Sequence, residues 1–191
     1  LKPGTPIGPI RPELARRWGL ANDMMICAGT TDSTAAFLAS GASEPGEAVT
    51  SLGSTMVLKV ISDTPIFAPE YGVYSQPLGE YWLVGGGSNS GGAVLRHFFS
   101  DERMAELCRQ LQPGTPTGLD YYPLLAPGER FPRNDPAQAP RLSPRPADEV
   151  RFFQGLLEGI ARIEKEGYER LAELGAPYPV SVRTNGGGAR N

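Results

Sequence analysis

The sequence is poor in the residues on which several kinds of site depend. Among 191 residues it has one histidine, His97, and two cysteines, Cys27 and Cys108. A single histidine argues against a histidine-based triad and against a metal site built from several histidines. The two cysteines are far apart and each lies in an apolar pattern, so we expect buried thiols of a reducing compartment, not a disulfide or a metal site.

The sequence also has no excess of positive charge and no long apolar run. The formal net charge is −3, and no basic stretch stands out. This balance argues against nucleic acid and anionic membrane surfaces as partners. No window reaches the roughly 18 unbroken apolar residues of a membrane span. The expectation is a cytoplasmic protein with no membrane partner.

Residues 24–36 carry the most informative pattern. An apolar run of strand length, 24–28, ends at Gly29, and a small-residue helix is predicted over 33–40. Asp32 lies between the two. A carboxylate at the carboxyl end of a buried strand faces the crevice in which open α/β sheets bind ligands. Asp32 could also cap the helix that follows, and this window alone favours the cap over the ligand-facing role.

Small-residue turns follow several other predicted strands. A hairpin of strands 47–52 and 56–61 turns at Gly53-Ser54-Thr55, a glycine-rich loop 85–92 precedes helix 93–99, and strand 180–184 leads into a glycine turn. Such turns let a ligand approach the backbone, and free amides at a helix start can bind anions. Each could also be ordinary turn chemistry. The loop matches neither the P-loop nor the dinucleotide fingerprint.

The remaining patterns complete an α/β domain over residues 24–191. They predict strands 71–75 and 81–84, a helix 101–111 capped by Ser100, an ordered irregular segment 112–146 and a long helix 148–173. We expect one mixed sheet that includes strand 24–28, with helix 148–173 packed on one face. Residues 1–23 are predicted to be a linker with a short helix that begins near Pro12.

Five short motifs follow one another in a characteristic order. They are Gly29–Ser33, Ser51–Thr55, Gly91–Ala93, Gly128–Pro132 and Gly186–Asn191. Together with the long helix between the last two, they resemble the C-terminal domain of the FGGY carbohydrate kinases. Within the family, the residues of these motifs are most similar to those of the cyanobacterial and plant branch of D-ribulose kinases, or xylulose kinase-like proteins.

The resemblance implies a fold, an activity and site residues. The fold would be actin/hexokinase/Hsp70-like (ribonuclease H-like), with a mixed sheet flanked by helices. The activity would be phosphorylation of a sugar hydroxyl, on a ketopentose such as D-ribulose or D-xylulose, with ATP and Mg²⁺ as cofactors. Asp32 matches the catalytic base, and no residue is assigned as a metal ligand. The positions that match the family's ATP site are Gly53, Ser54, Gly92, Gly187, Gly188 and Asn191.

The resemblance also implies that parts of the enzyme lie outside this chain. Family kinases have an N-terminal sugar-binding domain and closing helices that match nothing here, so we expect a truncated domain that is inactive by itself. Its partners would be ATP, the sugar and that missing domain, and a homodimer stays open. Two alternatives remain: a nucleotide-operated binding protein of the actin/Hsp70-like fold, and a structural domain whose turns bind nothing.

Overall fold

Residues 1–190 are described by the computed structural model, and the chain divides into two units, Leu1–Gly41 and Ala42–Asn191. The first unit contains four elements: β1 (Pro6–Pro9), α1 (Pro12–Trp18), β2 (Met25–Cys27) and α2 (Asp32–Leu38). Strands β1 and β2 pair antiparallel in a two-stranded sheet of their own. The prediction that strand 24–28 joins the main sheet is therefore wrong, and residues 6–9 are a strand instead of a linker.

The apolar run at β2 misled the sequence analysis because it indicates a strand without indicating its partner. All three residues of β2 are exposed, and the partner comes from the chain just upstream. Gly4 N donates to Ala28 O at 2.7 Å, and Ala28 N donates to Thr5 O at 2.9 Å. Prolines are tolerated in β1 because a strand with one neighbour has one edge without ladder hydrogen bonds.

The cysteine prediction also needs correction in this unit. Both cysteines are free thiols, but Cys27 is exposed and Cys108 is half-buried. Cys27 is exposed because it ends the exposed strand β2 and does not belong to a buried one.

The described residues of the second unit form a five-stranded mixed sheet with three helices. The strands are β3 (Glu47–Leu52), β4 (Met56–Ser62), β5 (Tyr74–Leu78), β6 (Tyr81–Ser88) and β7 (Ser181–Asn185), and the helices are α3 (Gly92–Phe98), α4 (Asp101–Cys108) and α5 (Glu149–Glu173). The strand order is β5-β6-β4-β3-β7. Strand β7 runs parallel to β3, and the other neighbours are antiparallel. The predicted mixed α/β architecture is confirmed.

Strand β6 is longer than the sequence predicted. Gly85, Gly86 and Gly87 lie within it and not in a loop. A Cβ on Gly85 would lie 2.0 Å from the carbonyl oxygen of Leu58, and one on Gly86 would lie 2.6 Å from the ring of Phe131. These glycines therefore make room for close packing. Strand β5 starts later than predicted because residues 69–71 form a 3₁₀ turn that ends at Gly72, φ +72°.

Helix α5 packs on one face of this sheet, as its apolar stripe predicted. Asp148 caps it by accepting a hydrogen bond from Val150 N at 2.9 Å. A Cβ on Gly167 would lie 2.4 Å from the Leu58 side chain, so helix and sheet are in close contact here. The shared core also takes side chains from the irregular segment, including Tyr121, Leu124 and Phe131. Among the described residues, no helix is long and apolar enough to span a membrane.

Candidate functional site

Three strands of the main sheet end at the same edge. Strands β3 and β7 are parallel, with Ser51 opposite Asn185. Strand β4 is antiparallel to both β3 and β6, so β3 and β6 also run in one direction. The turns after these strands, which contain Gly53, Gly91 and Gly186, therefore lie at one edge of the sheet. Ligands of open α/β sheets bind at this carboxyl edge.

A cavity of about 550 Å³ lies among these turns and helices α3 and α4. Its lining residues are Leu52, Gly53, Ser54, Gly92, Leu95, Arg96, Asp101, Met104, Ala105, Gly187 and Gly188. Five of the six positions that the sequence assigned to ATP thus come together in one place. The sixth, Asn191, lies outside the described residues.

Glycine is needed where the turns meet. A Cβ on Gly92 would lie 2.8 Å from the carbonyl oxygen of Gly53. Gly186 has φ +85°, and its Cβ would lie 2.7 Å from the carbonyl oxygen of Leu52. A Cβ on Gly188 would lie 2.5 Å from the Leu52 side chain. The turn after β3 is therefore in close backbone contact on two sides, and a side chain at these glycines would push the turns apart.

The amides at the start of α3 are not free, so the expectation of an anion site there is wrong. Gly92 N donates to Gly53 O at 2.8 Å, and Ala93 N donates to Ser54 O at 3.0 Å. These hydrogen bonds join the helix to the β3–β4 turn. The amide and hydroxyl of Ser54 have no hydrogen-bond partner among residues 1–190, so both are left for a ligand. Ser54 is exposed at the cavity.

The cavity has one apolar and one charged side. Leu52, Leu95, Met104 and Ala105 supply carbon surface. Arg96 Nε donates to Asp101 Oδ1 at 3.2 Å, and both side chains are more than half exposed.

The sequence analysis did not find Arg96, although one signal was present. Residues four apart share a helix face, so a binding role at Gly92 points to Arg96 one turn later. In the structure, a guanidinium nitrogen of Arg96 lies about 4.0 Å from the place of a Cβ on Gly187. The charged side of the cavity thus lies beside the glycine turn that follows β7.

Asp32 belongs to the first unit and lies at the first position of α2. The N-cap of that helix is Thr31, whose hydroxyl accepts from Thr34 N at 3.3 Å. The alternative that Asp32 is the cap is therefore wrong. Asp32 Oδ1 accepts from Ser33 N at 2.7 Å, and the side chain is exposed. The carboxylate is accessible to a second molecule.

Glu129 of the fourth motif is a buried carboxylate, 2% exposed. Its oxygens accept hydrogen bonds from Ser88 Oγ, Asn89 N, Tyr122 Oη and Arg130 N at 2.7, 2.7, 3.1 and 2.9 Å. Burial, and next the Glu129 carboxylate, raise the pKa of Tyr122. These contacts give the fourth motif a structural role.

The mixed sheet, its packed helices and the cavity at its carboxyl edge define an α/β domain of the actin- and hexokinase-like kind. Residues 48–191 match the family described as "FGGY family of carbohydrate kinases, C-terminal domain". The chain belongs to this family.

Individual relatives agree with this assignment. A gluconokinase of Bacillus subtilis is 27% identical over 143 residues, which cover 65% of this chain and 28% of the relative. The structure titled "xyloylose kinase from Brucella ovis" is 27% identical with a TM-score of 0.78, covering 98% of this chain and 40% of that one. A xylulose kinase from Lactobacillus acidophilus, 21% identical over the same shares of the two chains, shows the same fold with a TM-score of 0.80. The chain thus spans less than half the length of these relatives.

Proposed function

We propose that this chain is the nucleotide-binding part of an ATP-dependent sugar kinase and that the 550 Å³ cavity holds the nucleotide. The family membership of residues 48–191 supports the reaction class. The observation that carries the site is that Gly53, Ser54, Gly92, Gly187 and Gly188 all line that cavity. Domains of this fold that bind ligands do so at the carboxyl edge of the sheet, where this cavity lies.

The cavity suits a nucleotide chemically. Leu95, Met104 and Ala105 offer the apolar surface that a planar base needs. The free amide and hydroxyl of Ser54 can donate to phosphate oxygens, and Arg96 adds a positive charge. Absence of side chains at Gly92 and Gly187 lets the phosphates approach the backbone.

A divalent cation such as Mg²⁺ fits this site as a companion of ATP. Within the described residues, no group of three or more His, Cys, Asp or Glu side chains could hold a metal. Mg²⁺ usually binds through one or two carboxylates together with substrate phosphates, so a complete protein cage is not needed. When bound, the cation would neutralise charge on the phosphates.

Asp32 is the residue that we assign as general base. The assignment rests on the motif Gly29–Ser33 and on an exposed carboxylate that is not the N-cap of α2. An acceptor close to the attacking sugar hydroxyl takes its proton while the γ-phosphoryl group leaves ATP. The remaining contribution to phosphoryl transfer is positioning and charge neutralisation, which the cavity supplies.

The sugar is proposed as a ketopentose, D-ribulose or D-xylulose, because the residues of the motifs resemble those of kinases for these sugars. Gluconate is the second candidate because curated relatives at 27% and 29% identity are gluconokinases. We further propose that residues 24–191 work with an N-terminal domain that supplies most sugar contacts. The isolated chain should then bind ATP weakly and turn over no sugar, since closure of two domains excludes water from the phosphates.

The test is ADP release by the full-length protein that contains this chain. The assay supplies saturating ATP and Mg²⁺ and one of D-ribulose, D-xylulose or gluconate. Kinase function predicts that ADP release depends on one of these substrates and that the product is a sugar phosphate. ADP release that is the same with and without every sugar would favour the nucleotide-operated binding protein instead.

A further inference from the structure

We propose that Glu129 is a positioning residue for the nucleotide phosphates. It would act through residues 88–91, the last residue of β6 and the three residues that join it to α3, which hold the β3–β4 turn; this segment is called the connection below. This inference rests on the proposed function, since it assumes that Ser54 in that turn contacts ATP. It adds a role in substrate binding to a side chain that does not line the cavity.

The first step is the contact between Glu129 and the connection. One carboxylate oxygen accepts from Asn89 N and Arg130 N, and the other accepts from Ser88 Oγ and Tyr122 Oη. All four partners are donors, which a carboxylate can satisfy and an amide cannot. Hydrogen bonds to a charged acceptor are stronger than neutral ones, and burial strengthens them further. Glu129 therefore fixes the start of the connection.

The second step lies within the connection itself. Ser88 Oγ, which donates to Glu129, accepts from Ser90 N at 3.0 Å. The side-chain amide of Asn89 donates to Gly128 O at 3.0 Å and accepts from Arg130 Nε at 2.7 Å, so the connection is bound to the Glu129 segment twice more. Ser90 is fully buried. Three consecutive residues are thus held before the chain enters α3.

The third step joins the connection to the phosphate turn. Gly92 N and Ala93 N donate to the carbonyls of Gly53 and Ser54. A Cβ on Gly91 would lie 2.8 Å from the carbonyl oxygen of Ser54, so the two backbones are already at contact distance. A shift of residues 88–91 must therefore move the turn that presents the Ser54 amide and hydroxyl.

The two sides of Glu129 allow a matched experiment on the full-length protein. Ser88→Ala and Glu129→Gln weaken the side that faces the connection. Tyr122→Phe removes a hydrogen bond from the same carboxylate but leaves the connection untouched. Each variant is assayed for KM of ATP, KM of the sugar, kcat and Tm, and ATP binding is measured by calorimetry.

If Glu129 positions the phosphate turn, the variants should differ in their effect on the ATP constants. Ser88→Ala and Glu129→Gln should raise both KM and Kd for ATP about tenfold, the effect of losing one charge-assisted hydrogen bond, with KM of the sugar within about twofold. Tyr122→Phe should lower Tm and leave the ATP constants unchanged. In the double variant Ser88→Ala/Glu129→Gln, the loss of ATP binding free energy should be smaller than the sum of the two single losses, because the two residues share one hydrogen bond.

A purely structural role predicts a different result. All three variants would then lower Tm and the active fraction while Kd of ATP stays at the wild-type value, and the inference would be overturned. If Glu129→Gln fails to fold, Ser88→Ala against Tyr122→Phe decides the question by the same criterion. Absence of sugar phosphorylation in the wild type would contradict the proposed function, whereas an unchanged Kd for ATP contradicts this inference alone.

Discussion

The amide of Gly92 donates a hydrogen bond of 2.8 Å to the carbonyl oxygen of Gly53. This contact joins the first residue of α3 to the turn that follows β3. It uses an amide that the sequence analysis assigned to a ligand, and it fixes a turn whose Ser54 groups stay available. If the cavity binds ATP as proposed, the turn presents the Ser54 groups to the phosphates and the helix start supports the turn.

Gly92→Ala should weaken ATP binding and stability together. Its Cβ would lie 2.8 Å from the Gly53 carbonyl oxygen, so the turn or the helix must move. Overpacking of this kind costs about 1–3 kcal/mol of the free energy of unfolding. Gly114→Ala is the control, because no atom lies within 4 Å of its Cβ position. Urea denaturation and calorimetry with ATP measure both effects; equal Kd values in the two variants would contradict the role of the contact.

Arg96→Ala should raise KM of ATP with little effect on Tm. The guanidinium lies at the cavity beside Gly187 and is more than half exposed, so its removal leaves the core intact. Loss of a charged contact to phosphate should cost about fivefold to tenfold in KM. Arg109→Ala, at an exposed arginine outside the cavity lining, removes the same charge and should change nothing. Identical KM values for both variants would mean that the charge near the phosphates is irrelevant.

Asp32→Asn should abolish most turnover in the full-length protein and spare ATP binding. Asn cannot accept a proton at neutral pH, and general base catalysis contributes about 10²–10⁴ in rate. The helix cap is untouched because Thr31 supplies it. The exposed Asp23→Asn is the matched control within the first unit. Retention of more than about a tenth of wild-type kcat would remove Asp32 from the reaction.

Glu47 should make the stability of the sheet depend on pH at the acid end. It accepts from Ser43 N at 2.8 Å and from Arg183 at 2.8 Å, which ties β3 to β7. The Ser43 amide and then Arg183 lower its pKa from 4.5 to about 2. A lowered pKa in the folded state means that the stabilisation is complete above pH 4.5 and is lost as the pH falls toward 2.

The measurement compares Tm of the wild type and Glu47→Gln between pH 7 and pH 2. The gap in Tm should be widest at neutral pH and should close as the pH falls below 4.5. Glu102→Gln, at an exposed carboxylate, should show no such pattern. A gap in Tm that stays constant down to pH 2 would show that folding does not lower the pKa of Glu47.

The sequence predicted the elements whose evidence is local. The apolar stripe of α5 predicted the long helix within one residue at its start. The hairpin β3–β4 followed from two apolar runs and a small-residue turn. The five site positions that line the cavity came from the resemblance to the family, and they lie together because turns after parallel strands share an edge.

What the sequence could not predict depends on distant neighbours. Gly85–Gly87 look like a loop until Leu58 and Phe131 are placed against them. Likewise, the amide of Gly92 looks free until the turn at Gly53 meets it. The partner of β2 was missed because an apolar run does not tell a strand in a large sheet from one in a small sheet. In each case the deciding contact is tertiary.

The pairing of β7 with β3 determines when the proposed nucleotide cavity can form. Arg183 and Glu47, which this pairing brings together, are 136 positions apart in sequence. Contacts this distant carry a large loop-closure entropy and form after local structure in most folding reactions. Because Gly187 and Gly188 enter the cavity only when β7 is in place, a bound nucleotide would favour the fully assembled sheet over any partly folded chain. A nucleotide bound as proposed would thus protect the chain from local opening and proteolysis at β7.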